Sequence, residues 1–339
     1  MRKIYYWNKD KSILLTVKTY ILLFSGSFFI PFLANTQTNP LYLKDYSYVQ
    51  FINPAITGRD KSPIVNLSHK QYFFGTKGNP NTTSLGASIR LGTFDFYNPQ
   101  KMLNRTGFFS RGRMGLGFMF LQDKDGPLNT YFGEFSYGYF IPLKNKNSEL
   151  SFGLSAQFLD YHLNRSILNP LDSDDPLINN PNVSKIVPEA GCGIYYHDLQ
   201  FYAGVSINDL LLSKQPLNRD NLATNKRDYF FQSGYKIFLK RFEMEPSVYL
   251  AKIDANSLYC FSQLKFYYRN YNWIALGYRS TKALLFSLGI SLQRFYVAYA
   301  YEQNISGMSS YFSGSHEIML GMNIGLYEPL GIIKRSGKR

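Results

Sequence analysis

The sequence predicts an all-β fold: a transmembrane antiparallel β-barrel of about 14 strands in the outer membrane of a Gram-negative bacterium. Three observations point there. Apolar and small or polar residues alternate in segment after segment beyond residue 60, the period-two signature of a strand with two unlike faces. Composition is the second: Tyr and Phe reach 28 each, Gly 26, charged residues only 18%, yet mean hydropathy is −0.22. Soluble domains carry about 25% charged residues, whereas strands with one lipid face and one wet face need many aromatics and small residues. Connection length is the third and is taken up below.

Residues 1–36 read as a signal peptide. Arg2, Lys3, Lys9, Lys11 and Lys18 form a basic start, and Tyr20 to Ala34 is uncharged, apolar and interrupted by Pro31. That run falls short of the roughly 20 residues of a spanning helix and fits Sec-type export with cleavage between Ala34 and Gln37. Residues 37–63 form a periplasmic N-terminal segment, 64–327 the barrel, and 328–339 a basic tail holding Lys334, Arg335, Lys338 and Arg339. The net charge of +14 would admit a nucleic-acid partner. The export signal excludes one, and attraction to an anionic envelope surface or ordinary solvation takes its place. Cys192 and Cys260 lie far apart in strand-like sequence, outside any metal or redox motif, and read as two thiols rather than a disulfide.

The predicted strands are 64–73, 81–91, 113–122, 130–141, 149–160, 187–197, 199–207, 228–239, 241–252, 257–268, 271–279, 284–292, 294–302 and 315–327. Leu150, Phe152, Leu154, Ala156 and Phe158, interleaved with Ser151, Gly153, Ser155 and Gln157, show the pattern at its clearest. Many of these runs match the 9–11 residues of a tilted membrane strand. If the barrel starts from the periplasm, the long connections 161–186, 208–227 and 303–314 lie outside. The very short ones near Asp198, Lys240, Asn270 and Gln293 then lie inside. Long outside and short inside is the outer-membrane rule. The inner connection 92–112 breaks it and reads as an inward fold or an error in strand count. Closure follows because an open edge in lipid would leave backbone groups unpaired. Tyr72, Phe73, Tyr267, Tyr268 and Tyr327 are expected in the interfacial girdles, and bulky lumen-facing Tyr and Gln residues predict a filled or narrow interior.

No catalytic arrangement is found. His316 and Glu317 begin like a zinc-protease helix motif, but position 320 is Leu, so the second ligand is missing. Asp123 to Gly126 resembles the start of a calcium loop, yet Pro127 stands at its fifth ligand position, and an outer turn is the simpler reading. Asp172, Asp174 and Asp175 form an acidic cluster in an outer loop and read as solvated. Neither Ser155 nor Ser206, each following a glycine, has the second glycine of a nucleophile elbow. The expectation is a channel, receptor or docking platform, not an enzyme, with neither cofactor nor metal.

The chain resembles the PorP/SprF family of type IX secretion system membrane proteins of Bacteroidota. Asn53-Pro54-Ala55-Ile56-Thr57-Gly58 is similar to the family's NPAxxG motif, and Gly78-Asn79-Pro80 with the following threonines to its GxPxTxS turn. Gly115 to Gly126 resembles its third strand and turn. Gly191-Cys192-Gly193 with Tyr196, then Phe201 to Ser206 around Gly204, resembles its GxGxxY and FYxGxS strands. Ser313 to Leu320, through Ser315, His316 and Glu317, resembles its closing stretch. Residue chemistry agrees with a structural use of these motifs. Asn53-Pro54 starts a turn and Gly58 permits positive φ, so the segment can tuck in before the first strand. Ser315, His316 and Glu317 can fix the closing register.

The resemblance, not the alternation, implies a function. Family members are outer-membrane barrels that accompany type IX secretion and gliding motility. They support secretion or surface anchoring of client proteins, often adhesins, that carry a C-terminal sorting domain. A periplasmic peptidoglycan-binding lipoprotein is a further implied partner, besides the outer-membrane lipids. Loops 161–186 and 208–227 are the expected client contacts, and segments 37–58 and 92–112 the expected contacts to envelope components. The competing expectation is a porin or a small-solute or lipid transporter.

Overall fold

The computed structural model describes most of residues 49–324. Residues 1–48 and 325–339 lie outside the described residues, as do 61, 73–79, 93–111, 144–147, 164–184, 213–226, 240–241, 254–256, 269–271, 293 and 306–313. The expected signal peptide, basic tail, acidic cluster and most of the four long connections therefore fall there, together with Gly78, Phe73 and Tyr327.

Fourteen antiparallel strands follow one another around the wall. They are β1 (Ile64–Gln71), β2 (Asn81–Leu91), β3 (Met114–Asp125), β4 (Leu128–Pro142), β5 (Glu149–Leu163), β6 (Lys185–His197) and β7 (Phe201–Asn208). Then come β8 (Asp228–Tyr235, resumed at Ile237–Phe238 after Lys236), β9 (Phe242–Ile253), β10 (Ser257–Tyr268), β11 (Asn272–Arg279), β12 (Ala283–Leu292), β13 (Phe295–Asn304) and β14 (Ser315–Asn323). Each strand pairs with its sequence neighbours, and β14 closes on β1 from Ile64↔Asn323 to Gln71↔His316. Closure leaves no edge, as a lipid solvent demands.

Length and taper differ from the expectation in detail. The third to fifth strands run longer than expected, to Asp125, from Leu128 to Pro142 and on to Leu163. The β3–β4 hairpin turns on Gly126 and Pro127 alone, with Gly126 at φ +58°. That two-residue turn agrees with the turn reading of Asp123 to Gly126, and Asp123 accepts a hydrogen bond from Thr82. The last strand ends its described pairing at Asn323 rather than 327.

Alternation sorts the two faces. Leu67, Leu85, Leu116, Phe135, Phe152, Leu154, Ile194, Val205, Leu276 and Ile318 point outward, each at least 40% exposed. Exposure of this kind around a whole wall is tolerable only against lipid. The opposite face is buried and polar: Lys70, Arg90, Glu134, Gln157, Glu189, Gln232, Gln263, Lys265, Arg279 and Glu302 are each no more than 9% exposed. Several of these are charged, so the interior expected to be filled by Tyr and Gln is filled by ion pairs as well. They are spaced one or two per strand and form pairs only once the wall curls. The girdle expectation for Tyr267 is corrected. Its hydroxyl donates to Glu245 at 3.0 Å inside the barrel, whereas its neighbour Tyr268 faces out.

A three-strand clamp locks the closing seam. Glu302 on β13 accepts from Lys70 Nζ on β1 at 2.8 Å and from Arg279 Nη1 on β11 at 2.6 Å. Glu302 is opposite Ser315, and Lys70 opposite Glu317, so the pair reaches across β14 from both sides. A second bidentate bond joins Arg90 on β2 to Glu149 on β5, at 2.8 and 3.0 Å, beneath the Phe140 ring. Removing one partner of such a pair strands a buried charge and costs about 3–5 kcal/mol. Glu302→Ala is expected to lower the temperature at which the barrel loses its compact gel migration. Replacing Glu302, Lys70 and Arg279 together by apolar residues is expected to recover most of the loss. Unfolding in urea from detergent micelles measures both.

Candidate functional site

The most elaborate arrangement of side chains lies inside the barrel, around the stretch just before β1. Val49–Ile52 forms one helical turn, α1, and Pro54–Ile56 a 3₁₀ turn. Asn53 caps the second turn, its Oδ1 accepting from Ala55 N at 3.0 Å, as a short polar cap should. Pro54 stands in the first turn position, where its missing N–H costs nothing. The turn then ends at Gly58, with φ +81°. The sequence's Asn-Pro start and glycine stop are thus used as expected.

These residues lie against the lumen wall, and side chains there hold the backbone. Ser206 donates to Ile52 O at 2.6 Å, Ser151 to Ala55 O at 2.6 Å, and Asn208 Nδ2 to Phe51 O at 3.4 Å. In return Asn53 Nδ2 donates to the carbonyls of Ile194 and Val205, at 3.2 and 3.4 Å. Thr57 donates to Ser136 at 2.9 Å and Arg59 to the Tyr195 hydroxyl at 3.2 Å. Strands β4 to β7 are all engaged. Phe51, Asn53, Ala55 and Thr57 are each no more than 1% exposed.

Close approach explains the glycines. A side chain on Gly153 would overlap Ala55 N and Pro54 C, and one on Gly115 would overlap the Thr57 carbonyl. Gly193 and Gly204 face the Asn53 amide in the same way, while Gly191 faces Asn208. The wall is therefore a trough with a glycine floor and hydroxyl sides. One end is apolar: Phe51 meets Phe132 edge-on at 4.6 Å and packs with Met119, Leu121, Leu159 and Val187. The chain runs from there to Gly58 and Pro63 at the other end, where Pro63 O accepts from Ile324 N at 2.9 Å.

The trough gathers Asn53, Pro54, Ala55, Gly58, Gly191, Gly193, Gly204 and Ser206 into one place. It leaves Gly126 in its hairpin and Pro80 beside β2. Ser315, His316 and Glu317 sit on β14 at the seam. His316 faces outward, with Nδ1 2.6 Å from the Tyr299 hydroxyl and its ring 5.1 Å from Tyr301. Ser315 and Glu317 point inward and are buried, so His316 and Ser315 lie on opposite faces. Segment 37–58 was expected to touch envelope components. For Phe51 to Gly58 this is corrected, because those residues are enclosed by the wall. Segment 92–112 lies almost wholly outside the described residues. Sequence reasoning missed Ser136, Gly138, Ser151, Gly153 and Asn208. Their signal was a run of small inward positions on adjacent strands, which can only be filled from elsewhere in the chain.

Chemically the trough is a set of hydrogen-bond donors and acceptors closed around a stretch of main chain. Among the described residues no group of three or more His, Cys, Asp or Glu could hold a metal. Cys192 and Cys260 are free thiols. Phe51→Ala is expected to cost about 3–5 kcal/mol, and Asn53→Ala about 1–3 kcal/mol through its unmatched strand carbonyls. Gly126→Ala, in an open turn, should cost only about 1 kcal/mol. Urea unfolding of the three variants checks this order.

Solved structures to which this chain is similar include the CymD monoaromatic hydrocarbon channel, 12% identical over 83% of this chain and 94% of that one, with a TM-score of 0.44. The toluene transporter TodX of P. putida is 7% identical over 81% and 93%, with a TM-score of 0.47. Omp33 of Acinetobacter baumannii is 7% identical over 78% and 99%, with a TM-score of 0.42. No curated protein matches in sequence. Residues 35–322 match the family described as type IX secretion system membrane protein PorP/SprF. That match runs from before the trough segment to the closing strand, and the chain therefore belongs to the PorP/SprF family of type IX secretion system membrane proteins.

Proposed function

We propose that this barrel is a non-enzymatic accessory of type IX secretion, exported by its signal peptide and inserted in the outer membrane. It supports secretion or surface anchoring of a client, such as an adhesin with a C-terminal sorting domain. Family membership over 35–322 carries the reading. The interior supports it. Gln157, Gln232, Gln263 and Thr82 line the lumen from several sides and are no more than 1% exposed. A conducting pore would leave such side chains in contact with water. Work done by a barrel packed this way falls to its rims and loops.

Client contact is assigned to the outer connections 161–186 and 208–227, and a periplasmic peptidoglycan-binding lipoprotein is the proposed partner on the inner side. Gliding motility and adhesion are the processes this would serve. The test is the surface and medium proteome of a deletion strain beside its parent. Loss of one or a few sorting-domain proteins, with general export intact, is expected. An unchanged proteome with reduced uptake of a solute would overturn the reading in favour of a transporter.

A further inference from the structure

The lumen trough has the properties of a binding site, and its occupant is part of the same chain. Three successive features fit a peptide and nothing smaller. The wall reads main-chain carbonyls: those of Phe51, Ile52 and Ala55 each accept from a wall side chain. It also reads side chains, since Asn53 donates back to two strand carbonyls and Phe51 fills an apolar pocket. Finally, the backbone at Pro54 and Ala55 lies so close to Gly153 that a Cβ on that glycine would overlap it, and Ala55 is itself fully buried, with no open space for a larger side chain.

The size of the barrel makes this site decisive. Eight strands enclose about as much space as their own side chains fill, and 16–18 leave an aqueous channel. Fourteen strands lie between, so the wall needs added mass to be closed. Where the segment lies against β3 to β7, the wall presents glycines and serines such as Gly153, Gly193, Ser151 and Ser206, which fill little, while larger inward residues such as Phe132 and Gln157 stand beside it. The segment supplies the missing volume there. On the far side Lys70, Arg279, Gln263 and Lys265 fill it themselves.

We infer that the β3–β7 wall is a sequence-specific peptide-binding site, occupied in cis by residues 49–59, and that this occupancy is what seals the barrel. The inference stands apart from the secretion role, because it concerns permeability and not clients. Without the segment, Ser136, Ser151, Ser206 and Asn208 would line a wet path beside the glycine floor. An added peptide of the same sequence should close it again.

The experiment compares the full mature chain with a variant lacking Val49–Gly58, both refolded, checked for heat-modifiable migration, and inserted in planar bilayers. The parent is expected to be silent and the deletion variant to show conductance steps. A synthetic peptide of residues 49–59 should suppress those steps at least tenfold better than the same peptide carrying Asn53→Ala and Ala55→Trp. Steps of equal size in the parent would overturn the inference. So would a silent but folded deletion variant, or equal suppression by the two peptides. If the deletion variant does not fold, Ala55→Trp in the full chain serves instead. It should conduct where the parent does not, and a folded, silent Ala55→Trp barrel would count against the seal.

Discussion

A barrel of fourteen strands encloses more space than its own inward side chains fill, and everything else in this molecule answers to that constraint. Half of the wall meets it with long polar side chains, three of which form the ion-pair clamp at the seam. The other half meets it with a borrowed piece of chain. Glycines at 115, 153, 193 and 204 let that piece come within backbone contact of the wall. Hydroxyls and amides then satisfy carbonyls that would otherwise be buried unpaired, each at a cost of about 1–3 kcal/mol. The closed wall is a property of lipid as solvent, whereas the closed interior is a property of this sequence.

The two halves also divide the work of stability. Around the seam the Lys70–Glu302–Arg279 clamp bridges β14, and β14 cannot slip against β1, since a one-residue shift would turn Ser315 and Glu317 to lipid. Around β3 to β7 the segment touches five strands at once, and its removal would loosen them together. The same chain therefore fixes register at its C-terminal closing strand and fills volume from its N-terminal side. The proposed client contacts lie on the outer connections, apart from both.

Much of this was legible in the amino acids. Period-two alternation placed all fourteen strands, because lipid on one side and packed polar groups on the other leave no other pattern. The second and tenth strands agree to the residue, at 81–91 and 257–268. The Asn53-Pro54 turn and Gly58 were readable from local rules, since cap, proline and positive φ are set by neighbours in sequence. What alternation could not show was where the turn goes. Its partners stand 79 to 157 residues away, and only the closed wall brings them together. Ion pairs escaped for the same reason: Lys70 and Glu302 are 232 positions apart. Tyr267 was misassigned because a girdle tyrosine and a lumen tyrosine differ by one step of the pleat.

The placement of the segment inside the wall is the claim on which the rest stands, and a crosslink tests it most directly. Thr57 and Ser136 are joined by a hydrogen bond of 2.9 Å. Thr57→Cys with Ser136→Cys, in a chain carrying Cys192→Ser and Cys260→Ser, should oxidise to a disulfide in intact outer membranes. Peptide mapping by mass spectrometry would read it. The account predicts a nearly complete bond between the segment and β4, formed without disturbing heat-modifiable migration. A folded barrel in which those two thiols stay unjoined under oxidation would contradict it.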